Sequence, residues 1–429
     1  MVQKIIEIAL KNRLVVLLLA AALFAYGIFS MKENPIDAIP DLSETQVIVF
    51  TEWMGRSPQV IEDQVTFPLV SNLQGIPKIK NIRGSSMFGM SFVYVIFEDD
   101  VDSYWARTRV MERLNYAQRL LPQNVTPTLG PDGTSVGHIF WYHLDAPKMN
   151  LGEQRALQDW YIKFALQTVP GVAEVASFGG FEKQYQIVID PIKMQFFNLS
   201  LMDIMNKVKS NNNDVGGRKF EMSDMAYIIR GLGYIKNKET IENIALANNK
   251  GTPVTIKDIG VVQMGGDLRL GIFDADGNGE VVGGIVIMRY NENANKVIEA
   301  LKIKIKEVEK GLPVGVSLKT SYDRSTLIEE AIKSVKNTLI EEMIAVSIIV
   351  LVFLFHWRSA VIILIQLPIS VAAGFILLQL FGISSNIMSL TGIALAIGVV
   401  VDDGIVMVEN AYRHLSEKQT EKKQSQLNS

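Results

Sequence analysis

The chain has 429 residues, a formal net charge of −3 and 48% hydrophobic residues, with a mean hydropathy of +0.20. That length allows two or three domains, and without a basic stripe there is no case for nucleic acid as a partner. No cysteine is present, so disulfides, thiolate metal sites and cysteine nucleophiles are excluded, and no phosphate-binding P-loop appears.

The first element is the apolar run "LVVLLLAAALFAYGIFSM", Leu14 to Met31, long enough to cross a bilayer. Lys4, Lys11 and Arg13 precede it. The run is long for the apolar stretch of a signal peptide, so it reads as an anchor rather than a cleaved leader. Residues 1–31 are taken as a cytoplasmic N-terminus and a first transmembrane helix.

The next 300 or so residues alternate strand-like and helix-like stretches. "TQVIVFTEW" alternates like a strand, and Ser57-Pro58 is a helix start. Ile61, Val65, Leu69 and Leu73 then recur at helical spacing. "GSSMFGMSFVYVIFED" reads as a strand or hairpin, and Val110, Leu114, Ala117 and Leu121 form the apolar face of a second helix. The order strand–helix–strand–strand–helix–strand is that of a split βαβ, ferredoxin-like unit, placed at 32–130. A second such unit is interrupted, with its parts at 131–180 and 272–325. An α+β insertion at 181–271 carries "NNNDVGG", read as an exposed loop. "DADGNGE" opens like a calcium loop, but Ile285 stands where a bidentate Glu is required, so it reads as a hairpin turn. His138 and His143 are expected on opposite faces of one strand and do not form a metal site. Nothing argues for a hydrolase.

Three more apolar runs follow, at about 339–355, 360–381 and 387–408, completing about four transmembrane helices in an α+β membrane protein. Arg358 lies between the second and third, and Arg413, Lys418, Lys422 and Lys423 follow the fourth. The charge asymmetry puts both termini in the cytoplasm and residues 32 to about 336 outside it. Residues 326–411 are then a linker helix with transmembrane helices 2–4, and 412–429 a polar cytoplasmic tail.

The fourth run contains "GVVVDDGIVMVEN". Acids inside a membrane segment are costly and mark ion or proton pathways. On one helix Gly398, Asp402 and Glu409 share a face, and Asp403 lies about 100° around from Asp402. A buried acid pair of this kind titrates as a coupled unit near neutral pH, which suits a proton relay.

Taken together, "PIDAIPDLSETQVIV", "VYVIFEDDVDSYWARTRVMERLN", "PDGTSVG", "YQIVIDP", "FHWRSA" and "NIMSLTGIALAIGVVVDDGIVMVEN" make the chain resemble the N-terminal part of resistance-nodulation-division (RND) efflux pumps. The resemblance is to their heavy-metal branch, most of all the copper/silver exporters. It implies a proton-driven homotrimer of the bacterial inner membrane with periplasmic porter subdomains, the 181–271 insertion being a docking subdomain. It also implies a periplasmic adaptor and an outer-membrane channel as partners, and no resident cofactor beyond the transported cation and protons. Asp402 and Asp403 would be the proton relay. Met388 and Met407 stand at two positions where the copper/silver exporters ligate their cargo, and thioether sulfur suits Cu(I) or Ag(I). Two other such positions are Val400 and Leu268, and the double aspartate is a habit of the drug-exporting branch. The family's chains continue into a second half that would supply the basic residue facing the acids. The chain is therefore expected to be a truncated product or one half of a split pump. A drug-exporter fragment and a non-transporting membrane scaffold are the alternatives.

Overall fold

The structure, a computed structural model, describes residues 7, 9–37, 39–222, 225–249, 251–269, 271–354 and 357–427. Helix α1, Arg13–Glu33, leads into a linker and then into the first sheet. Strand β1 (Gln46–Glu52) buries every second residue, Val47, Val49 and Thr51, as period-two alternation requires. It pairs antiparallel with β3 (Met90–Phe97), which also pairs with β2 (Ile79–Met87), while β4 (Pro127–Leu129) closes the other edge. The order β2-β3-β1-β4 is that of a split βαβ unit.

Two helical stretches cover this sheet. The first, residues 58–73, starts at Ser57, whose side chain accepts from the Val60 amide, and contains a π turn at Glu62–Thr66. The second, α2 (Ser103–Ala117), is capped by Asp102, which accepts from the Trp105 amide. Ile61, Val65, Leu69, Leu73, Val110 and Leu114 pack on Val47, Val93 and Val95 to form the core.

β5 (His138–Asp145) and β6 (Val172–Phe178) open a second unit. The helical stretch between them, residues 151–167, also contains a π turn, Gln158–Ile162. The chain then leaves through β7 (Lys183–Ile189), helix α3 (Leu201–Ser210), β8 (Val215–Met222), β9 (Met225–Gly231), β10 (Ala245–Asn249), β11 (Thr252–Thr255) and β12 (Gly260–Gly266). β12 returns antiparallel along β7, and Ile204, Ile241, Ile256, Ile259 and Val262 form a separate core. The segment "NNNDVGG" is only partly a loop: Val215, Gly216 and Gly217 open β8. Asp214 fixes that entry by accepting from the Gly233 amide at 2.8 Å and pairing with Arg230.

After the insertion, β13 (Gly283–Met288), α4 (Ala294–Glu309) and β14 (Ser317–Asp323) complete the second sheet in the order β14-β5-β13-β6, again that of a split βαβ unit. All six residues of β13 are buried, and Gly284 makes room for a buried polar contact there. A Cβ at Gly284 would stand 2.5 Å from the Tyr142 hydroxyl, which donates to Gln158 Oε1 at 3.0 Å. Burial pushes the Tyr142 phenol well above its ordinary value of 10.0, although the hydrogen bond to Gln158 opposes the shift. A raised pKa means that the folded state holds this proton more tightly than the unfolded chain. The contribution is complete below pH 10 and is lost as pH rises toward the folded value, at about 1.4 kcal/mol per pH unit. Urea midpoints measured between pH 8 and 11 should therefore fall on the alkaline side, and Tyr142→Phe should flatten that slope.

The chain ends in three helices: α5 (Arg324–Leu354), α6 (Trp357–Leu380) and α7 (Ile387–Leu427). Among the described residues two helices are long and apolar enough to cross a membrane, α1 and the Ile387–Ala411 part of α7. In α6 the apolar stretch is shorter, Ile365–Leu380, and Glu341 and Glu342 interrupt α5. The polar tail after Arg413 continues α7 as helix to Leu427.

α1 lies along α6. Gly27 and Ser30 are the buried residues of α1, and Ser30 donates to Gln379 Oε1 at 2.5 Å. Small residues permit such close approach of helices in a membrane.

Candidate functional site

Helix α7 owes its position to a buried seam of period seven. Leu390, Ile397 and Gly404 are buried, and Leu367 of α6 packs with Ile397. At Gly404 the neighbour is Gln366 of α6, whose side-chain oxygen would lie 2.7 Å from an added Cβ. The Gln366 amide donates to the Val400 carbonyl at 3.4 Å. Sequence reasoning missed Gln366, although a lone amide in "VIILIQLPISV" carries the same signal as an intramembrane acid.

Asp403 precedes Gly404 by one residue and Asp402 by two, which turns them about 100° and 160° away from the seam. Both carboxylates are exposed. Among the described residues neither has a side-chain hydrogen bond or an ion pair. The acids thus occupy the side of α7 that α5 and α6 leave open.

Met388 and Met407 are 66% and 64% exposed. Nineteen positions separate them, about 28 Å along the helix and about 100° around it. The structure does not bring these sulfurs together, although Met407 lies one turn beyond Asp403 on the same side of α7.

Above α7 the helices meet the sheets at a joint. Ile36 and Ser385 form a bridge in which Asp37 N donates to Ser385 O at 3.0 Å and Ser385 N to Pro35 O at 2.8 Å. The Asn34 amide group donates to Ser385 Oγ at 2.9 Å and to Ile383 O at 3.1 Å. Arg324, the first residue of α5, donates through Nε to Asp37 Oδ1 at 2.9 Å and through Nη1 to the Val136 carbonyl before β5. Its side chain is 4% exposed. The neighbouring Asp323 caps α5 by accepting from the Ser325 amide at 2.9 Å. Burial pushes the Asp323 carboxyl up, but Lys302 and Ser325 together hold it below its ordinary value. A cavity of about 330 Å³, lined by Asp37, Asp41, Val136, Met288, Glu292 and Asn386, opens at the joint.

A second cavity, of about 470 Å³, lies between the first sheet and the start of the insertion. Met54, Met90 and Leu268 line it. Among the described residues no three His, Asp or Glu side chains are grouped to hold a metal. In "DADGNGE" the Asp274 carboxylate is consumed by its own turn, accepting from the Gly277 and Gly279 amides at 2.8 and 3.1 Å. The strict alternation expected between His138 and His143 is broken by a bulge in β5. What separates them is distance: they pair with Ile287 and Gly283, about 13 Å apart along β13. His143 Nδ1 is hydrogen-bonded to Ser321 Oγ at 2.7 Å.

Comparison with known proteins follows the same outline. Residues 5–429 match the AcrB/AcrD/AcrF family. The chain is 44% identical over 422 residues to the cation efflux system protein CusA of Escherichia coli (strain K12), covering 98% of this chain and 40% of that protein. It is 35% identical over 428 residues to the cobalt-zinc-cadmium resistance protein CzcA of Cupriavidus metallidurans, covering 98% of this chain and 40% of that protein. An X-ray crystal structure of a heavy metal efflux pump superposes with a TM-score of 0.86 at 33% identity, covering 96% of this chain and 41% of the other. The chain thus spans about 40% of the length of the relatives it matches. It belongs to the AcrB/AcrD/AcrF family, the resistance-nodulation-division proteins, and stands among the heavy-metal efflux members.

Proposed function

We propose that the chain is the N-terminal part of a proton-driven efflux transporter for a heavy-metal cation, Cu(I) or Ag(I), in the bacterial inner membrane. The observation that carries this reading is the acid pair on the open side of α7, a helix otherwise apolar enough to span a bilayer. An intramembrane carboxylate without a partner calls for a cation or a proton. Asp402 and Asp403 take up protons from the exported side, and the change of charge drives rocking of the helices against the sheet units through the Arg324 joint. The basic counterpart comes from the part of the relatives' length that this chain does not span. CusA, a cation efflux protein by name, is the relative that supports a cation cargo. Met388 and Met407, too far apart to share an ion, act as separate thioether contacts for it. The working assembly is a homotrimer with four spanning helices in each copy of this part, coupled to a periplasmic adaptor and an outer-membrane channel. The sheet units serve as porter subdomains and the insertion as the docking subdomain. The cation and protons are cargo, and no resident cofactor is required.

The test replaces both acids in a pump completed with the missing half. Asp402→Asn/Asp403→Asn should reduce silver and copper tolerance to that of a strain lacking the pump, with membrane levels of the protein unchanged. Proton flux in liposomes should stop as well. Full tolerance in the double variant would refute the relay.

A further inference from the structure

Helix α6 meets the turn of α7 that carries the acid pair through a polar side chain. We infer that Gln366 is a positioning residue of the proton relay: its amide, seated in the notch at Gly404, ties the setting of Asp402 and Asp403 to the weakened turn of α6 around Pro368. The inference rests on the relay reading given above and adds to it the contact through which a change of charge on the acids reaches the neighbouring helix.

The contact is built from both helices. Residues 400 and 404 are the two ends of the helical turn that has the acids at its middle. The Gln366 amide donates to the Val400 carbonyl at 3.4 Å, the same carbonyl that α-helix geometry pairs with the Gly404 amide. At Gly404 an added Cβ would stand 2.7 Å from Gln366 Oε1 and 3.4 Å from its Nε2, so only a glycine lets the side-chain amide lie this close to the backbone. Gly404 is buried and Gln366 half-buried, while Asp402 and Asp403 are exposed and turned away from the contact. Helix α7 therefore cannot rotate to re-aim the acids without dislodging Gln366.

The other helix is weakened where Gln366 sits. Pro368, inside α6, has no N–H to give to the carbonyl one turn back, and Ser370 Oγ donates to the Gln366 carbonyl at 3.0 Å. Both features favour a bend at this turn. A cavity of about 250 Å³, lined by Phe24, Pro368, Ala372 and Phe375, borders the proline and leaves space for the bend to change. Leu367, next to Gln366, packs with Ile397 of the α7 seam. A tilt of α6 at Pro368 thus carries the amide and the seam together, and a shift of α7 driven by the charge of its acids returns through the same contact.

The coupling is tested on the full chain in detergent, with isotope-labelled glutamine followed by nuclear magnetic resonance. The side-chain amide signal that disappears in Gln366→Met identifies the residue. Asp402→Asn/Asp403→Asn should move this signal, and Glu409→Gln, which removes a charge farther along α7, should leave it in place. In liposomes, a pump completed with the missing half should transport Ag(I) about tenfold more slowly at saturation when it carries Gln366→Met, with KM within about twofold of the parent. Methionine keeps the length and volume of glutamine, so a contact needed for packing alone would survive that change. Gly404→Ala should slow the pump as much, because the added methyl evicts the amide. Gly404→Ala/Gln366→Asn, with its amide one carbon shorter, should recover most of the rate. An amide signal indifferent to the acids, or a Gln366→Met pump as fast as the parent, would overturn the positioning role. Full metal tolerance in Asp402→Asn/Asp403→Asn would remove the relay on which that role rests, whereas an unmoved signal removes the coupling even where the relay stands.

Discussion

Arg324→Ala is expected to destabilise the chain by about 3–5 kcal/mol, the usual cost of removing one partner from a buried ion pair. The guanidinium is 4% exposed and Asp37 19%, so water cannot replace what is lost. Truncation withdraws the cation from the Asp37 carboxylate and the donor from the Val136 carbonyl, each of which then lies in a poorly hydrated place. Three segments far apart in sequence meet at this side chain: the linker after α1, the approach to β5 and the start of α5. The loss should therefore appear as separation of the helices from the sheets, not as melting of either. Asp37→Asn in the same background should recover part of the deficit, because the carboxylate no longer needs compensation. Denaturant midpoints for the four members of the cycle check this, together with protease sensitivity of the linker at 34–42. A single-variant loss below about 1 kcal/mol would place the pair among solvent-screened ones.

Gly27→Leu should break the seating of α1 on α6. A Cβ at position 27 would stand 2.7 Å from the Ala372 carbonyl oxygen, a backbone atom that cannot rotate away. The helices must then move apart, which also pulls Ser30 from Gln379 and Asn34 from Ser385. Overpacking of this kind costs about 1–3 kcal/mol before the lost hydrogen bonds are counted, each worth about 1 kcal/mol. Helix content during titration with sodium dodecyl sulfate should show an earlier transition in Gly27→Leu, with Leu19→Ala, at an exposed position of the same helix, close to the parent. Identical transitions in Gly27→Leu and the parent would refute the close crossing.

What the sequence disclosed depended on the range of the interactions. The alternation in Gln46–Glu52 and the helix start at Ser57 are local, so they could be read directly. The acid pair stood out because charge in an apolar run is costly wherever the run lies. Its orientation did not, since only the seam Leu390, Ile397 and Gly404 decides which side of α7 faces the other helices. The Arg324–Asp37 pair spans 287 positions and has no local signature. The bulge in β5 shows the limit of period-two reasoning, because one extra residue reverses every inference beyond it.

The two π turns carry a consequence for tolerance to deletion. In residues 58–73 the buried positions Ile61, Val65, Leu69 and Leu73 recur every four residues, and in residues 151–167 so do Gln154, Gln158, Ile162 and Leu166. A strict four-residue repeat on an α-helix drifts by about 40° at each step and would swing its last member off the sheet. The wider π turn in the middle of each helix takes up that drift and keeps the stripe in phase. Each helix is therefore counted in fours, like a screw with a locally coarser thread. Deleting one residue from either turn would give a regular α-helix in which 11 residues, about 20° more than three whole turns, separate the first and last buried positions, so the stripe would still face its sheet.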